Sequence, residues 1–247
     1  MRTKARAYAR IFIVVLWALL ALLPLAVVNL LHMTPLGTTQ LCGKILCFIL
    51  GVRVRVDGRL TRSRKLLVVG NHTGYLDILA LAAALKVTFV AKSDVSGWPL
   101  FGLIAKLLGT IFIRRDRTKS KTEVDMLERK IETNPLPIQV FPEGTSTDGS
   151  EVLPFKSALF SIFYKGDGAA KSDLLVQPIA ITWSHSTKKF AWYIKEQTFV
   201  EHFMSAVKLM PVEAFITIGE PLSPRDYADR KALALAAQSK VKEMLDV

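Results

Sequence analysis

Five apolar residues in a row, Leu66-Leu67-Val68-Val69-Gly70, run into a polar turn, Asn71-His72-Thr73-Gly74-Tyr75-Leu76-Asp77, and then into a second apolar stretch that starts at Ile78. The pattern reads as a buried strand, a turn and a helix start. Further along, the same alternation predicts strands at 52–56, 87–92, 110–113, 137–141, 174–182, 190–194 and 213–219. Between and after them it predicts helices at 78–85, 121–132 and 155–164, and a last helix to about 245 that opens on Ser223-Pro224-Arg225-Asp226, an N-cap, a proline and an acidic first turn. Strands that alternate with helices call for an α/β fold: a mixed, mostly parallel sheet flanked by helices. No internal repeat interrupts it.

Ahead of this pattern lies a different kind of chain. Residues 11–31 are apolar apart from Asn29, and at 1.5 Å per residue that length is about enough for a bilayer core of roughly 30 Å. The run is longer than the apolar part of a signal peptide, and Asn29-Leu30-Leu31-His32 lacks a small-x-small cleavage site. A second apolar stretch, 41–52, is interrupted by Lys44 and too short to cross unaided. Pro24, together with Pro35-Leu36-Gly37 between the stretches, suits a bent hairpin that dips into one leaflet. Both flanks are basic: Arg2, Lys4, Arg6 and Arg10 before it, and Arg53, Arg55, Arg59, Arg62, Arg64 and Lys65 after it. By the positive-inside tendency both ends stay on the cytoplasmic face of the inner membrane, whereas a single span would place the second cluster outside. The expected organisation is a membrane-anchoring helical hairpin over 1–51 and a globular domain over 52–247.

Composition supports the division. The chain has 247 residues, 51% of them hydrophobic, and still carries a formal net charge of +12, so its partner is anionic. The cations cluster beside the apolar segments, which points to an anionic membrane and not to a nucleic acid. The two cysteines, Cys42 and Cys47, share one apolar stretch and read as small hydrophobes. No metal is expected.

Chemistry is expected at the first polar turn. A histidine at a strand's carboxyl end, with an aspartate five residues on in the first turn of a helix, can fold back into a hydrogen bond. Asp77 would then fix the ring tautomer of His72 and leave its other nitrogen free as a general base. The turn has no serine, and Thr73 lacks a base of its own, so the nucleophile is expected to be a hydroxyl brought by a substrate. Asn71 and Gly74 shape the turn.

Three later blocks share the register of this one: Gly109-Thr110-Ile111-Phe112-Ile113-Arg114-Arg115, Val140-Phe141-Pro142-Glu143-Gly144-Thr145 and Val176-Gln177-Pro178-Ile179. In order and spacing the four blocks, from about Leu66 to about Ile181, resemble those of the glycerolipid acyltransferase family, whose best-known members are the 1-acylglycerol-3-phosphate acyltransferases. The resemblance implies an acyltransferase domain that moves a fatty acyl chain from acyl-CoA or acyl-carrier protein to the free hydroxyl of a lysolipid, lysophosphatidic acid first among them. It implies no cofactor beyond the acyl donor, with His72 as base and Asp77 as its orienting partner. Arg115 matches the family's arginine and would pair with a phosphate. Glu143 and Thr145 would help to hold the acceptor, Gly144 would let the backbone approach it, and Lys156 matches a basic position common after the third block. The family's arginine after the threonine is replaced by Ser146, which removes one phosphate-pairing charge. That departure favours an alternative acceptor such as lyso-ornithine lipid. A further alternative is a non-enzymatic, basic membrane-binding protein that keeps the fold. His32, His185 and His202 have no carboxylate at comparable spacing and are expected to be structural or exposed.

Overall fold

The computed structural model describes residues 2–30, 37–63, 65–98, 100–113, 120–166, 168–171, 173–184, 187–194 and 196–246. The chain opens with two helices, α1 (Arg2–Leu30) and α2 (Thr38–Leu50). An α/β unit follows: β1 (Val52–Asp57), β2 (Leu66–Gly70), α3 (Tyr75–Ala84), β3 (Thr88–Lys92), α4 (Phe101–Leu107), β4 (Ile111–Ile113), α5 (Ser120–Thr133) and β5 (Ile138–Val140). After a 3-10 segment, Ser157–Phe163, come β6 (Leu175–Trp183), α6 (Thr187–Phe190), α7 (Phe199–Leu209), β7 (Val212–Ile218) and α8 (Arg230–Leu245). The seven strands form one sheet in the order β1-β7-β6-β2-β5-β3-β4. Every neighbouring pair is parallel except β6 with β7. The expected mixed, mostly parallel sheet flanked by helices is the observed one.

β2 lies near the centre of the sheet and all five of its residues are buried. Leu66 and Val68 join the core under α2, α3 and α7, while Leu67 and Val69 join the opposite core under α5 and α8. A strand with period-two side chains can be apolar throughout only if both faces are covered, and here both are. That leaves the polar turn after Gly70 as the point where the chain emerges at the carboxyl end of the strand, where ligand sites of open α/β sheets gather.

The two N-terminal helices are part of this core. α1 buries Ala7, Val14, Ala18, Ala21 and Leu25, a stripe along one side, while Phe12, Leu16, Leu20 and Leu23 on its other sides are exposed. Near its start Arg10 donates to the carbonyl of Met210 at 3.0 Å, just after α7. α2 packs tightly on α3: a side chain at Gly43 would collide with the backbone at Ala82 and Ala83. Leu46, Cys47 and Leu50 of α2 belong to the same cluster as Val68 and Leu76.

Three expected elements differ. The helix expected at 155–164 is the 3-10 segment Ser157–Phe163, which puts Phe160, Ile162 and Phe163 into the core together, as its tighter turn allows. No strand forms at 190–194. Phe190 ends the short α6, and the apolar residues after it cross over the first turn, where the Trp192 amide donates to the Thr73 carbonyl at 2.7 Å. α7 was not expected, although Thr198 and Glu201 form a capping box at its start, a signal present in the sequence. The last helix begins later than its Ser-Pro signal suggests: Pro224–Asp226 is a single 3-10 turn, and Asp229 caps α8 with hydrogen bonds from Lys231 and Ala232.

Candidate active site

His72 follows Asn71 out of β2, and Asp77 sits in the first turn of α3. The His72 Nδ1 atom lies 3.1 Å from Asp77 Oδ2. Asp77 is fully buried, and its oxygens accept four further hydrogen bonds: Oδ2 from the amides of Thr73 (2.6 Å) and Gly74 (2.9 Å), Oδ1 from Thr73 Oγ1 (2.9 Å) and Trp183 Nε1 (3.0 Å). Burial pushes this carboxyl up, but the hydrogen bond and charge of His72, the Thr73 amide and the Trp183 indole outweigh it and hold it below the ordinary carboxylate range. An ionised Asp77 accepts only, so His72 carries its proton on Nδ1 and presents Nε2 as a bare lone pair. The ring stacks on Phe141 at 4.0 Å and 15°, and the side chain stays 18% exposed, enough for a substrate to reach. Thr73 Oγ1 donates to Asp77, so the turn's own hydroxyl is already engaged.

The third block locks this turn from the other side. Glu143 is buried, and its two oxygens accept from two backbone amides, His72 at 2.7 Å and Leu153 at 2.9 Å. Burial drives the Glu143 carboxyl up to about 7 against the pull of those donors. The His72 carbonyl in turn accepts from the Thr147 amide at 2.9 Å. Gly144 has φ 74°, left-handed backbone that favours glycine, and a side chain there would overlap Lys156 Nζ. Lys156 therefore lies across the Pro-Glu-Gly turn, exposed and next to the histidine's support. Thr145 is exposed beside it.

The other expected positions divide. Asn71 is buried, and its amide is spent on the backbone of Ile181, donating from Nδ2 to the carbonyl at 2.9 Å and accepting the amide at 2.8 Å, so it ties β2 to β6. Gly74 lies against the backbone of Trp192. Arg115, with Arg114 and Arg117, lies outside the described residues, as do His32 and His185. His202 is buried on α7, with Nδ1 2.9 Å from the Tyr75 hydroxyl. Two participants had no local signal: Phe141 reads as a strand end and Trp183 as core. Ser146, where the family's second arginine would stand, turns inward and donates to the Trp192 carbonyl at 2.6 Å.

Beneath the turn runs an apolar cavity of about 180 Å³, walled by Tyr75 and Leu79 of α3, Leu46 of α2, Ile104 of α4 and Phe203 of α7. It starts two residues from Asp77 and passes between the N-terminal helices and the sheet. Among the described residues no cluster of His, Cys, Asp or Glu could hold a metal.

The chain as a whole is similar to known proteins. A protein from Rhodobacter capsulatus named lyso-ornithine lipid O-acyltransferase is 36% identical over 85% of this chain and 75% of its own length. A 1-acyl-sn-glycerol-3-phosphate acyltransferase from Neisseria gonorrhoeae is also 36% identical, but over only 38% of this chain and 37% of its own. The crystal structure of the 1-acyl-sn-glycerophosphate acyltransferase of Thermotoga maritima shares the fold, with a TM-score of 0.73 over 99% of this chain and 95% of that one at 22% identity. The Acyltransferase family model matches residues 51–182, from the first strand to the end of β6. This chain is an enzyme of the acyltransferase family.

Proposed function

We propose that the enzyme transfers a fatty acyl chain from a thioester donor, acyl-CoA or acyl-carrier protein, to the free hydroxyl of lyso-ornithine lipid. The observation that carries the choice of acceptor is the span of the likeness: the relative that bears this name aligns over 85% of the chain, the lysophosphatidic acid enzyme from Neisseria gonorrhoeae over 38%. Ser146 points the same way. Its hydroxyl is bonded inward to Trp192, so the turn lacks a second arginine that a phosphate would use.

In the reaction His72 Nε2 takes the proton of the acceptor hydroxyl as its oxygen attacks the thioester carbonyl. Asp77 holds the ring and stabilises the imidazolium. The tetrahedral intermediate collapses with loss of the thiolate, which receives the proton back from His72, leaving an ester and a free thiol. No acyl-enzyme forms, because the substrate supplies the nucleophile. The acyl chain of the donor occupies the apolar cavity, whose wall includes Tyr75, three residues after the base.

The stripe on α1 supports a monotopic membrane association. Its buried side chains run from Ala7 to Leu25, about 27 Å of helix at 1.5 Å per residue, flat against the domain. A perpendicular span would carry the domain into the bilayer with it. Lying in one leaflet, α1 presents Phe12, Leu16, Leu20 and Leu23 to lipid while the active site stays at the cytoplasmic face.

An acceptor panel tests the proposal. Purified enzyme is given one labelled acyl donor with lyso-ornithine lipid and lysophosphatidic acid in turn, and the products are identified by mass spectrometry. Preferential turnover of lyso-ornithine lipid is expected. Turnover of lysophosphatidic acid alone would overturn the acceptor, and full activity in His72→Ala would overturn the mechanism.

A further inference from the structure

Asp77 accepts five hydrogen bonds, and four of the donors belong to His72, Thr73 and Gly74. Those four travel with the turn and cannot register it against the rest of the molecule. The fifth comes from 106 residues away, from the last residue of β6. Trp183 is 4% exposed, its ring lies 5.7 Å from that of Phe190, and β6 is held by β2 on one side and by β7 on the other. Of the donors around Asp77 it is the one fixed to the sheet.

We propose that Trp183 is a positioning residue for acyl transfer: its indole N–H ties the Asp77 carboxylate to β6 and so sets the orientation of the His72 ring. The inference rests on the reading of His72 as the base. Trp183 acts through Asp77 and not on the reacting atoms. A buried acceptor that loses its donor has no water to replace it, so a cost appears even when the ring is kept. The same N–H takes up part of the carboxylate's negative charge. Without it, more of that charge is available to a protonated His72, which favours the imidazolium. Among the described residues, the other titratable groups facing the pair are Glu143, bonded to the His72 amide, and Lys156 across Gly144. β6 has no ionisable side chain, the Tyr75 hydroxyl of α3 turns to His202, and Lys188 of α6 pairs with Asp148.

The test uses the full chain in mixed micelles. Trp183→Phe keeps an aromatic ring and drops the donor. Because the smaller ring can also loosen the core, a second variant carries β-(3-benzothienyl)alanine at position 183, which keeps the bicycle and replaces only the N–H by sulfur. In both, kcat is expected to fall about tenfold with an unchanged acceptor KM, and the acidic limb of the kcat profile to move to higher pH. Wild-type kcat in the benzothienyl variant overturns the proposal. So does a loss confined to KM, or a fall in kcat with the limb unmoved, which is what simple loosening would give. His72→Ala separates the two levels of argument. If it is active, the base assignment falls. If it is inactive and the benzothienyl variant is not impaired, only the role of Trp183 falls.

Discussion

The turn that carries His72 and the cavity below it are neighbours built on opposite principles. In the turn, the polar atoms other than His72 Nε2 are paired: Asp77 has five donors, Glu143 two, and the amide and carbonyl of His72 are bonded to Glu143 and Thr147. In the cavity the walls are mostly aliphatic and aromatic side chains drawn from five helices and β3. Hydrogen bonds are directional and costly to leave unmade, so the turn admits one geometry; dispersion contacts are not directional, so the cavity adapts. Loss in the turn should therefore appear in turnover with every donor, and change in the cavity should appear as a preference among donors.

The sharpest break of that contrast is Asp77→Asn. The amide keeps the shape but offers an NH2 to a shell made of donors, and it can hold the wrong tautomer of His72. A drop in kcat on the order of 10³ to 10⁴ is expected, uniform across acyl donors, with membrane association unchanged in a flotation assay. A loss that depended on chain length would mean that the turn and the cavity are not separable.

Glu143 should give the next largest effect, and in it activity and stability run in opposite directions. Its folded-state carboxyl titrates at about 7, against an ordinary value of 4.5. Between those two values the folded enzyme binds a proton that the unfolded chain does not, so stability declines as pH rises through the window, by about 3.5 kcal/mol at roughly 1.4 kcal/mol per pH unit. Only the ionised form accepts both amides, so turnover should rise through the same window. The melting temperature and kcat, measured across it, are expected to move oppositely. Glu143→Gln should flatten the melting trend and lower kcat about ten- to a hundredfold, since one of its two groups faces an amide as a donor. A melting trend as steep in the variant as in the parent would assign it to other carboxyls.

The cavity is the milder side. Ala105→Leu adds volume to its wall on α4. Long-chain donors should lose about tenfold in kcat/KM relative to short ones, within the roughly 1–3 kcal/mol that overpacking costs, while kcat with the shortest donor is kept. Equal losses for all chain lengths would place the acyl chain elsewhere.

What the sequence revealed follows the same line. The turn was legible because its residues are consecutive: a five-residue spacing between His72 and Asp77 is a statement about one strand end and one helix start. The sheet was legible because buried strands leave apolar runs such as 66–70. Asp77's tie to Trp183 and the inward bond of Ser146 to Trp192 join residues dozens of positions apart, and no local period reports them. The apolar run at 190–194 misled because a segment that covers a site has the same composition as a strand. α7 is different: Thr198 and Glu201 mark its start with a capping-box spacing, close after an apolar run with the composition of a strand. The N-terminal helices carried a third kind of signal. Their hydrophobicity predicts contact with a membrane, but α1 also packs one side against α7 and α4, and only the fold shows that so apolar a helix doubles as a wall of the core.

The smallest expected effect bears on which acceptor the turn serves. Ser146 holds the third block to the segment that crosses over Gly74, through a bond to the Trp192 carbonyl. Ser146→Arg removes that bond and adds a cation next to the headgroup site. With a zwitterionic acceptor that already carries an ammonium, both changes are unfavourable, and a loss of a few-fold in kcat/KM is expected, in line with about 0.5–1.5 kcal/mol for one hydrogen bond. With a phosphate-bearing acceptor the added guanidinium would find a partner, and the lost bond would be offset. Arg115→Ala supplies the complementary arm. Removing a charge-assisted pair with a phosphate costs roughly 1.5–3 kcal/mol, about ten- to a hundredfold in binding, whereas an acceptor without a phosphate should be nearly indifferent. Measuring both variants against both acceptors gives two distinct patterns. A few-fold loss with lyso-ornithine lipid on Ser146→Arg, together with indifference to Arg115→Ala, fits the acceptor proposed here. Improved use of lysophosphatidic acid by Ser146→Arg, with a large loss in Arg115→Ala, would return the phosphate to the site and give the adaptable part of the enzyme to the headgroup as well as to the chain.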